Sequence, residues 1–238
     1  MNARYFIVIV LVSGFTAGTI HGAVNLAIVE PYLDEAIEIE NQSLIASGQV
    51  QDTPQFWVEY NSYRDWQKSG QILAGGILGM SIGALFGIVF AYSRNSLPKG
   101  HTVKKTFVLA AIMWVTIFLI PFLKYPANPP TVGDTDTVVL RAILYLSFIA
   151  ISGFSAVAFS RLYKKLENKK YLAFVGYAVF ITAVFFIMPP SPDEVTAPMD
   201  LVNGFRTMSV MAVTTFWIAE AIILGMLWQK YKTKLQEP

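Results

Sequence analysis

The chain has 16 acidic residues, 2 histidines and no cysteine, and these limits decide what chemistry it can do. Without thiolates there is no disulfide framework, no Cys nucleophile and no soft metal site. The polar residues that remain are spaced suggestively. His21 and Asn25 lie four apart, so a helix puts them on one face, and Glu30, Glu35, Glu38 and Glu40 follow directly. Imidazole with carboxylate oxygens suits a borderline divalent metal such as cobalt, nickel or zinc. The plainer reading of the same residues is a histidine hydrogen-bonded between helices and a solvated, acidic amphipathic helix. Asp134 and Asp136 offer further oxygen ligands. Glu220 stands alone in an apolar run, roughly 12 Å deep by helical rise. It must be protonated, or paired with a polar neighbour at similar depth such as Ser13, Ser152 or Tyr177. It is a candidate proton or cation relay, or a neutral packing group.

Gly79-Met80-Ser81-Ile82-Gly83 matches the G-x-S-x-G of a nucleophile elbow. Ser81 and His21 fall at similar depths by helical rise, so an intramembrane Ser/His hydrolase is a remote alternative. The elbow, however, needs a strand-to-helix turn, and this stretch is the middle of an apolar run. Glycines at every fourth residue explain Gly79 and Gly83 more simply. Gly14, Gly18 and Gly22 repeat in the first apolar run, and Gly75, Gly79, Gly83 and Gly87 in the second. Such spacing leaves a groove along one helix face and lets two backbones approach closely. No phosphate-binding loop is present, so any energy for transport comes from an ion gradient, the membrane potential or another subunit.

The elements that must hold these residues are membrane helices. Hydrophobic residues make up 54% of the chain and charged residues only 14%, against about 25% charged in soluble domains. Apolar runs predict helices at about 5–29, 71–92, 107–123, 142–160, 171–188 and 207–228. Runs of this length span roughly 26–33 Å, enough for the hydrocarbon core. The expected fold is all-α: a single polytopic membrane domain over 1–238, a six-helix bundle of three helical hairpins. Segments 30–70, 124–141 and 189–206 are expected as loops on one side of the membrane. The basic loops 93–106 and 161–170 are expected on the other.

Charge fixes the orientation. The N-terminus, the two basic loops and the tail carry 13 Lys/Arg and 2 Asp/Glu, whereas the three remaining segments carry 5 and 13. The positive-inside rule places both termini in the cytoplasm and the acidic loops outside. The end of the first helix, IVEPYL, is not a small-residue cleavage site, so it reads as a membrane helix and not a signal peptide. An outward helix, an acidic outer loop, an outer arginine and an inward helix recur around Arg64, Arg141 and Arg206. This is a weak sign of parallel repeats.

The most distinctive stretch is 123–141, LKYPANPPTVGDTDTVVLR. Pro126, Pro129 and Pro130 deny it a helix and stiffen it toward polyproline II. Lys124-Tyr125-Pro126-Ala127-Asn128-Pro129-Pro130, then Gly133-Asp134 and Arg141, resembles the signature loop of the CbtA family of cobalt transporter subunits. Glu30-Pro31 with Glu35 and Glu40 is similar to that family's first outer segment, and Pro189-Pro190 with Phe205-Arg206 to its final loop. The resemblance implies a multi-pass protein that moves Co2+ for cobalamin synthesis, with a small single-span partner, CbtB, bearing a histidine segment. The family is described with five spans, whereas charge alternation requires six.

The expected function is therefore import of a divalent metal, with cobalt as cargo and no bound cofactor, enzymatic activity or nucleic-acid partner. The net-acidic outer face would concentrate cations. Glu30, Glu35, Glu38 and Glu40 would collect them, with Asp134 and Asp136 on the stiff loop, and His21 and Asn25 would line the entrance. Lys124, Pro126, Asn128, Pro129 and Pro130 would hold the loop. Arg141 and Arg206 would pair with the acids while the site is empty. The alternative is a regulatory or scaffolding subunit of a separate permease.

Overall fold

The structure, a computed structural model, describes residues 2–130, 132–166 and 168–236. It is helical, with no strand among the described residues. Five helices are long and apolar enough to cross a membrane: Ala3–Ile28, Pro54–Ser93, Thr102–Lys124, Thr135–Lys165 and Met199–Lys230. A sixth apolar helix, Tyr171–Ile187, has 17 residues, about 26 Å of rise.

Helix α1 (Ala3–Ile28) starts at Asn2, whose Oδ1 accepts the Arg4 and Tyr5 N–H groups at 3.2 and 3.4 Å. It gives way to α2 (Glu30–Ala46), which has Pro31 in its first turn, where a missing N–H does no harm. Thr53 caps α3 (Pro54–Ser93) by accepting the Phe56 N–H at 3.3 Å. The segment 30–70 is thus not the loop expected from the sequence. It is α2 plus nearly half of α3, a 40-residue helix about 60 Å long. Apolar periodicity marks where a helix meets lipid, not where its hydrogen-bond ladder stops. The other expected loops shrink for the same reason: α4 begins at Thr102, α6 (Val138–Lys165) runs through most of the first half of 161–170, and α8 begins at Met199. Lys164 and Lys165 in the last turn of α6 suit its negative dipole end.

Between α4 (Thr102–Met113) and α5 (Ile120–Lys124) the rod continues as a π-helix, Trp114–Leu119. Ile120 N–H bonds to Val115 O, five residues back. Pro121 follows and has no N–H to offer the Thr116 carbonyl. That carbonyl accepts Ser152 Oγ instead, at 2.5 Å. A 3₁₀ turn, Thr135–Thr137, precedes α6; α7 (Tyr171–Ile187), α8 (Met199–Lys230) and the short α9 (Lys232–Gln236) complete the order.

The chain packs as two compact units. Residues 1–111, 129–131 and 197–238 form the first. Here α1 lies against both α3 and α8. A Cβ on Gly14 would strike the Gly79 carbonyl, and one on Gly79 would lie 2.6 Å from Gly18 Cα. The two backbones are therefore in direct contact, which only glycine permits. On α8, Trp217 meets Phe86 and Trp228 meets Phe90 edge-on. Asn2 N–H bonds to Leu235 O at 3.0 Å and Tyr5 stacks on Tyr231, so both chain ends meet at one end of this unit.

Residues 112–128 and 132–196 form the second unit. In it α6 packs on α7 and on the π-helix. Tyr125, Leu144, Phe148 and Ile181 make its core, with Tyr177, Val184 and Phe185 packed around them.

Candidate functional site

The acidic end of the first unit is built from two helices with matching stripes. Glu30 and Asp34 lie four apart at the start of α2, and Arg64, Lys68 and Gln71 share a face of α3. Arg64 Nη2 pairs with Glu30 Oε1 and, at 2.8 Å, with Asp34 Oδ1. Lys68 Nζ reaches Asp34 Oδ2 at 2.7 Å, and Gln71 Nε2 donates to Glu30 Oε2 at 3.0 Å. Arg64 Nη1 donates to Gln67 Oε1 at 2.7 Å. Two carboxylates therefore face two cations. Glu30 is 5% exposed and Arg64 6%, so the pair is held in a site where losing either partner strands a charge. Burial pushes the Asp34 carboxyl up, but hydrogen bonds and charge from Lys68 and Arg64 outweigh it and hold the group below its usual range.

The remaining acids of α2 point elsewhere. Glu35, Glu38 and Glu40 are exposed, and Glu38 only accepts a hydrogen bond from Gln42, at 3.3 Å. His21, half-buried on α1, has Nδ1 2.9 Å from Ala212 O on α8. A carbonyl can only accept, so Nδ1 carries a proton in this contact, and Nε2 is the ring nitrogen left for any other partner. The ring stands edge-on to Phe216. Asn25 is half-buried one turn further on. Among the described residues no three His, Asp or Glu side chains converge as a metal-binding group. His21 and Asn25 on α1 and Glu30, Glu35, Glu38 and Glu40 on α2 are thus placed on successive helices but are not gathered into a cage.

In the second unit the proline loop is held by its own contacts. Lys124 Nζ lies 4.9 Å from the Phe185 ring. Tyr125 Oη donates to Pro189 O at 2.7 Å, and burial raises the phenol above its usual range. Pro126 and Asn128 are half-buried here, whereas Pro129, fully buried, and Pro130, exposed, belong to the first unit. Asp134 is an N-cap: its Oδ1 accepts the Asp136 N–H at 3.0 Å, while Asp136 itself is exposed. Arg141 takes its ion-pair partner from within its own unit. Its Nη1 lies 3.1 Å from Asp193 Oδ2, and its Nη2 donates to Asp134 O at 3.0 Å. Thr137 Oγ1 also donates to Asp193, at 3.0 Å. Gly133, with φ +103°, sits against this pair; a Cβ there would lie 2.7 Å from Asp193 Cγ. Asp193 and Thr137 escaped the sequence reading. The available signal was that an outer arginine needs one acid, and the 189–206 segment supplied three. Arg206 lies in the second turn of α8, half-buried.

Ser81 is exposed in mid-α3, where the helix is continuous and no elbow forms. Glu220 is fully buried on α8, and its Oε1 accepts Ser13 Oγ at 3.1 Å. Ser152 and Tyr177, the other expected partners, bond to each other at 2.8 Å.

The family model of CbtA, described as a probable cobalt transporter subunit, matches residues 3–229. The chain belongs to the CbtA family. No curated protein and no solved structure matches it. Membership in CbtA makes the chain a transporter subunit in kind, which fits a non-enzyme, and the five long apolar helices agree with a multi-pass membrane protein.

Proposed function

We propose that this CbtA chain carries Co2+ across the cell membrane for cobalamin synthesis. The match to the CbtA family over residues 3–229 is the observation that carries this reading. The chain crosses the membrane six times, with both termini in the cytoplasm. The bond between Asn2 and Leu235 supports an even number of crossings, and α7 is then the sixth span. The exposed carboxylates Glu35, Glu38 and Glu40 concentrate cations at the outer surface. Glu30 and Asp34 receive the ion when it displaces Arg64 and Lys68. His21 then offers Nε2, with Nδ1–H fixed on a backbone carbonyl in the way that metal-binding histidines are oriented. Asn25 supplies a neutral oxygen beside it. With few strong ligands, binding is weak and release fast, as permeation requires.

A second reading, that of a subunit completed by a CbtB-type partner or regulating a separate permease, is favoured by one observation. Glu30 and Asp34 are already neutralised by Arg64 and Lys68, and no third ligand reaches them among the described residues. Radiolabelled cobalt uptake into cells lacking their own importers separates the two. Saturable uptake by the chain alone, lost on His21→Ala with Glu30→Gln, supports the self-sufficient carrier. Uptake that survives this double change refutes the path. Uptake that appears only with the small partner supports the second reading.

A further inference from the structure

Glu220 is the titratable group for which this path has no use. It is 0% exposed, about two-thirds of the way along a helix pressed against α1. Its Oε2 has no hydrogen-bond partner, and among the described residues no basic side chain pairs with it. Its neighbours are silent as well. Stretches 6–20 of α1, 71–91 of α3, 107–113 of α4 and 207–229 of α8 contain no other titratable side chain. The titratable groups that flank these stretches are Tyr5 and His21 on α1, Tyr92 at the end of α3, Lys104 and Lys105 at the start of α4, and Arg206 and Lys230 on α8, with His21 committed to Ala212 O. Lys105 Nζ is committed to Arg94 O. An ionised carboxylate here would leave one anionic oxygen unsatisfied in an apolar setting, a costly arrangement.

The hydroxyl beside it can serve either charge state. Ser13 Oγ, itself fully buried, lies 3.1 Å from Glu220 Oε1 and 3.1 Å from Val10 O. It has one proton and two acceptors. When Glu220 is ionised, Ser13 donates to the carboxylate. When Glu220 is protonated, the carboxyl O–H donates to Ser13 Oγ and Ser13 donates to Val10 O. A rotation of one hydroxyl converts the first pattern into the second, with no movement of the helices. Three oxygens are too few for a hard divalent cation, which takes about six, but they suffice for a proton. One residue further along α8, Ala221 O accepts Thr106 Oγ1 at 2.6 Å, so α1, α4 and α8 are all tied at this level.

We propose that Glu220 and Ser13 form a proton-binding site inside the membrane, taking up and releasing a proton from the aqueous phases as cobalt is transported. The coupling part rests on the transport function proposed above; the proton site itself does not. The test uses the full chain in lipid vesicles. Dicyclohexylcarbodiimide, which reacts with protonated carboxyls in apolar surroundings, is applied between about pH 5 and about pH 9, a range that starts just above the ordinary glutamate value. The label is mapped by mass spectrometry. A label on Glu220 that falls about tenfold or more across the range, vanishes in Glu220→Gln, and falls at a different pH in Ser13→Ala supports the site. The glutamine variant keeps the size and polarity of the acid form, and its helicity checks that it folds. A label that is flat with pH, or absent from the folded wild type, overturns the site and leaves Glu220 a fixed packing group. In the same vesicles, cobalt added outside should move protons, read by a trapped pH-sensitive dye, in wild type and not in Glu220→Gln. Cobalt entry without proton movement in wild type overturns the coupling. No cobalt entry at all overturns the transport reading, while the label still decides the proton site.

Discussion

The contact of α1 with α3 makes the sharpest stability prediction. Replacing Gly79 with alanine places a Cβ 2.6 Å from Gly18 Cα and 2.9 Å from Gly18 N, with the Gly14 carbonyl nearer still. Ordinary contact begins at 3.4 Å, so the backbones must separate by nearly an ångström. No flexible side chain can yield, because every atom met is main chain. Retreat of α1 is also opposed from its other side, where Ser13 and His21 are bonded to α8. Overpacking of this kind costs about 1–3 kcal/mol. The gap it opens also forfeits about a quarter to a half of the dispersion energy along the seam. Gly70, in the same helix, has nothing within 4 Å of the point where a Cβ would stand, and Gly70→Ala should gain up to about 1 kcal/mol from helix propensity. Reversible unfolding in mixed detergent–lipid micelles measures both. The expected outcome is a loss for Gly79→Ala and a neutral or stabilising effect for Gly70→Ala. Adding Gly14→Ala to Gly79→Ala should cost less than the two separately, because one separation relieves both clashes. Equal effects at Gly79 and Gly70, or full additivity of the pair, would refute the close-contact seam.

Three further outcomes follow from the polar contacts. Arg64→Ala strands the buried Glu30 and should destabilise by about 3–5 kcal/mol, whereas Lys68→Ala, at a half-exposed pair, should cost less than about 1 kcal/mol; the same unfolding assay compares them. Asp34 has a folded pKa below its unfolded value. Its stabilising contribution is therefore full above about pH 4 and is lost as pH falls through the lowered value. Hydrogen exchange at the start of α2 should accelerate on acidification over that window, and Asp34→Asn should remove the Asp34 part of this slope. Ser152→Ala leaves the Thr116 carbonyl and the Tyr177 hydroxyl without this partner. A loss of about 1–3 kcal/mol, with faster exchange confined to 114–121, is expected; unchanged exchange there would separate the hydroxyl from the π-helix.

The membrane helices and the two glycine rows were legible because both rest on strong local signals, hydropathy over some twenty residues and a fixed spacing of four. Helix ends were not, since α3 and α8 continue past the apolar stretch into polar sequence, capped in α3 by Thr53. Glu30 and Asp34 were visible as acids, but their partners Arg64 and Lys68 lie thirty or more residues away, and one chain carries no record of which cation meets which anion. Asp193, the acid that Arg141 meets, went unnamed for the same reason. The π-helix had one local cue, Pro121, but a proline in a membrane helix can be accommodated by a kink, a π turn or a side-chain donor, and only the fold selects Ser152. Ser13 could be named as a partner for Glu220 because depth within the bilayer is a coordinate that sequence does supply.

The two buried glutamates of the first unit show why burial alone does not identify function. Glu30 has Arg64 and Gln71 on its two oxygens, so ionisation there is matched and the pair behaves as a staple between α2 and α3. Glu220 has one hydroxyl and one bare oxygen. A carboxyl kept only for packing gains nothing over a glutamine or methionine of similar size, and it carries the risk of an unmatched charge. Under the proton site proposed above, Ser13 satisfies either protonation state at this point, a property that a glutamine or methionine could not use. A divalent ion that displaces Arg64 from Glu30 at the acidic end leaves that cation to be rebalanced. A proton released at Glu220 changes the charge of the same unit in the opposite sense, so the two glutamates would act as the two ends of one electrostatic exchange.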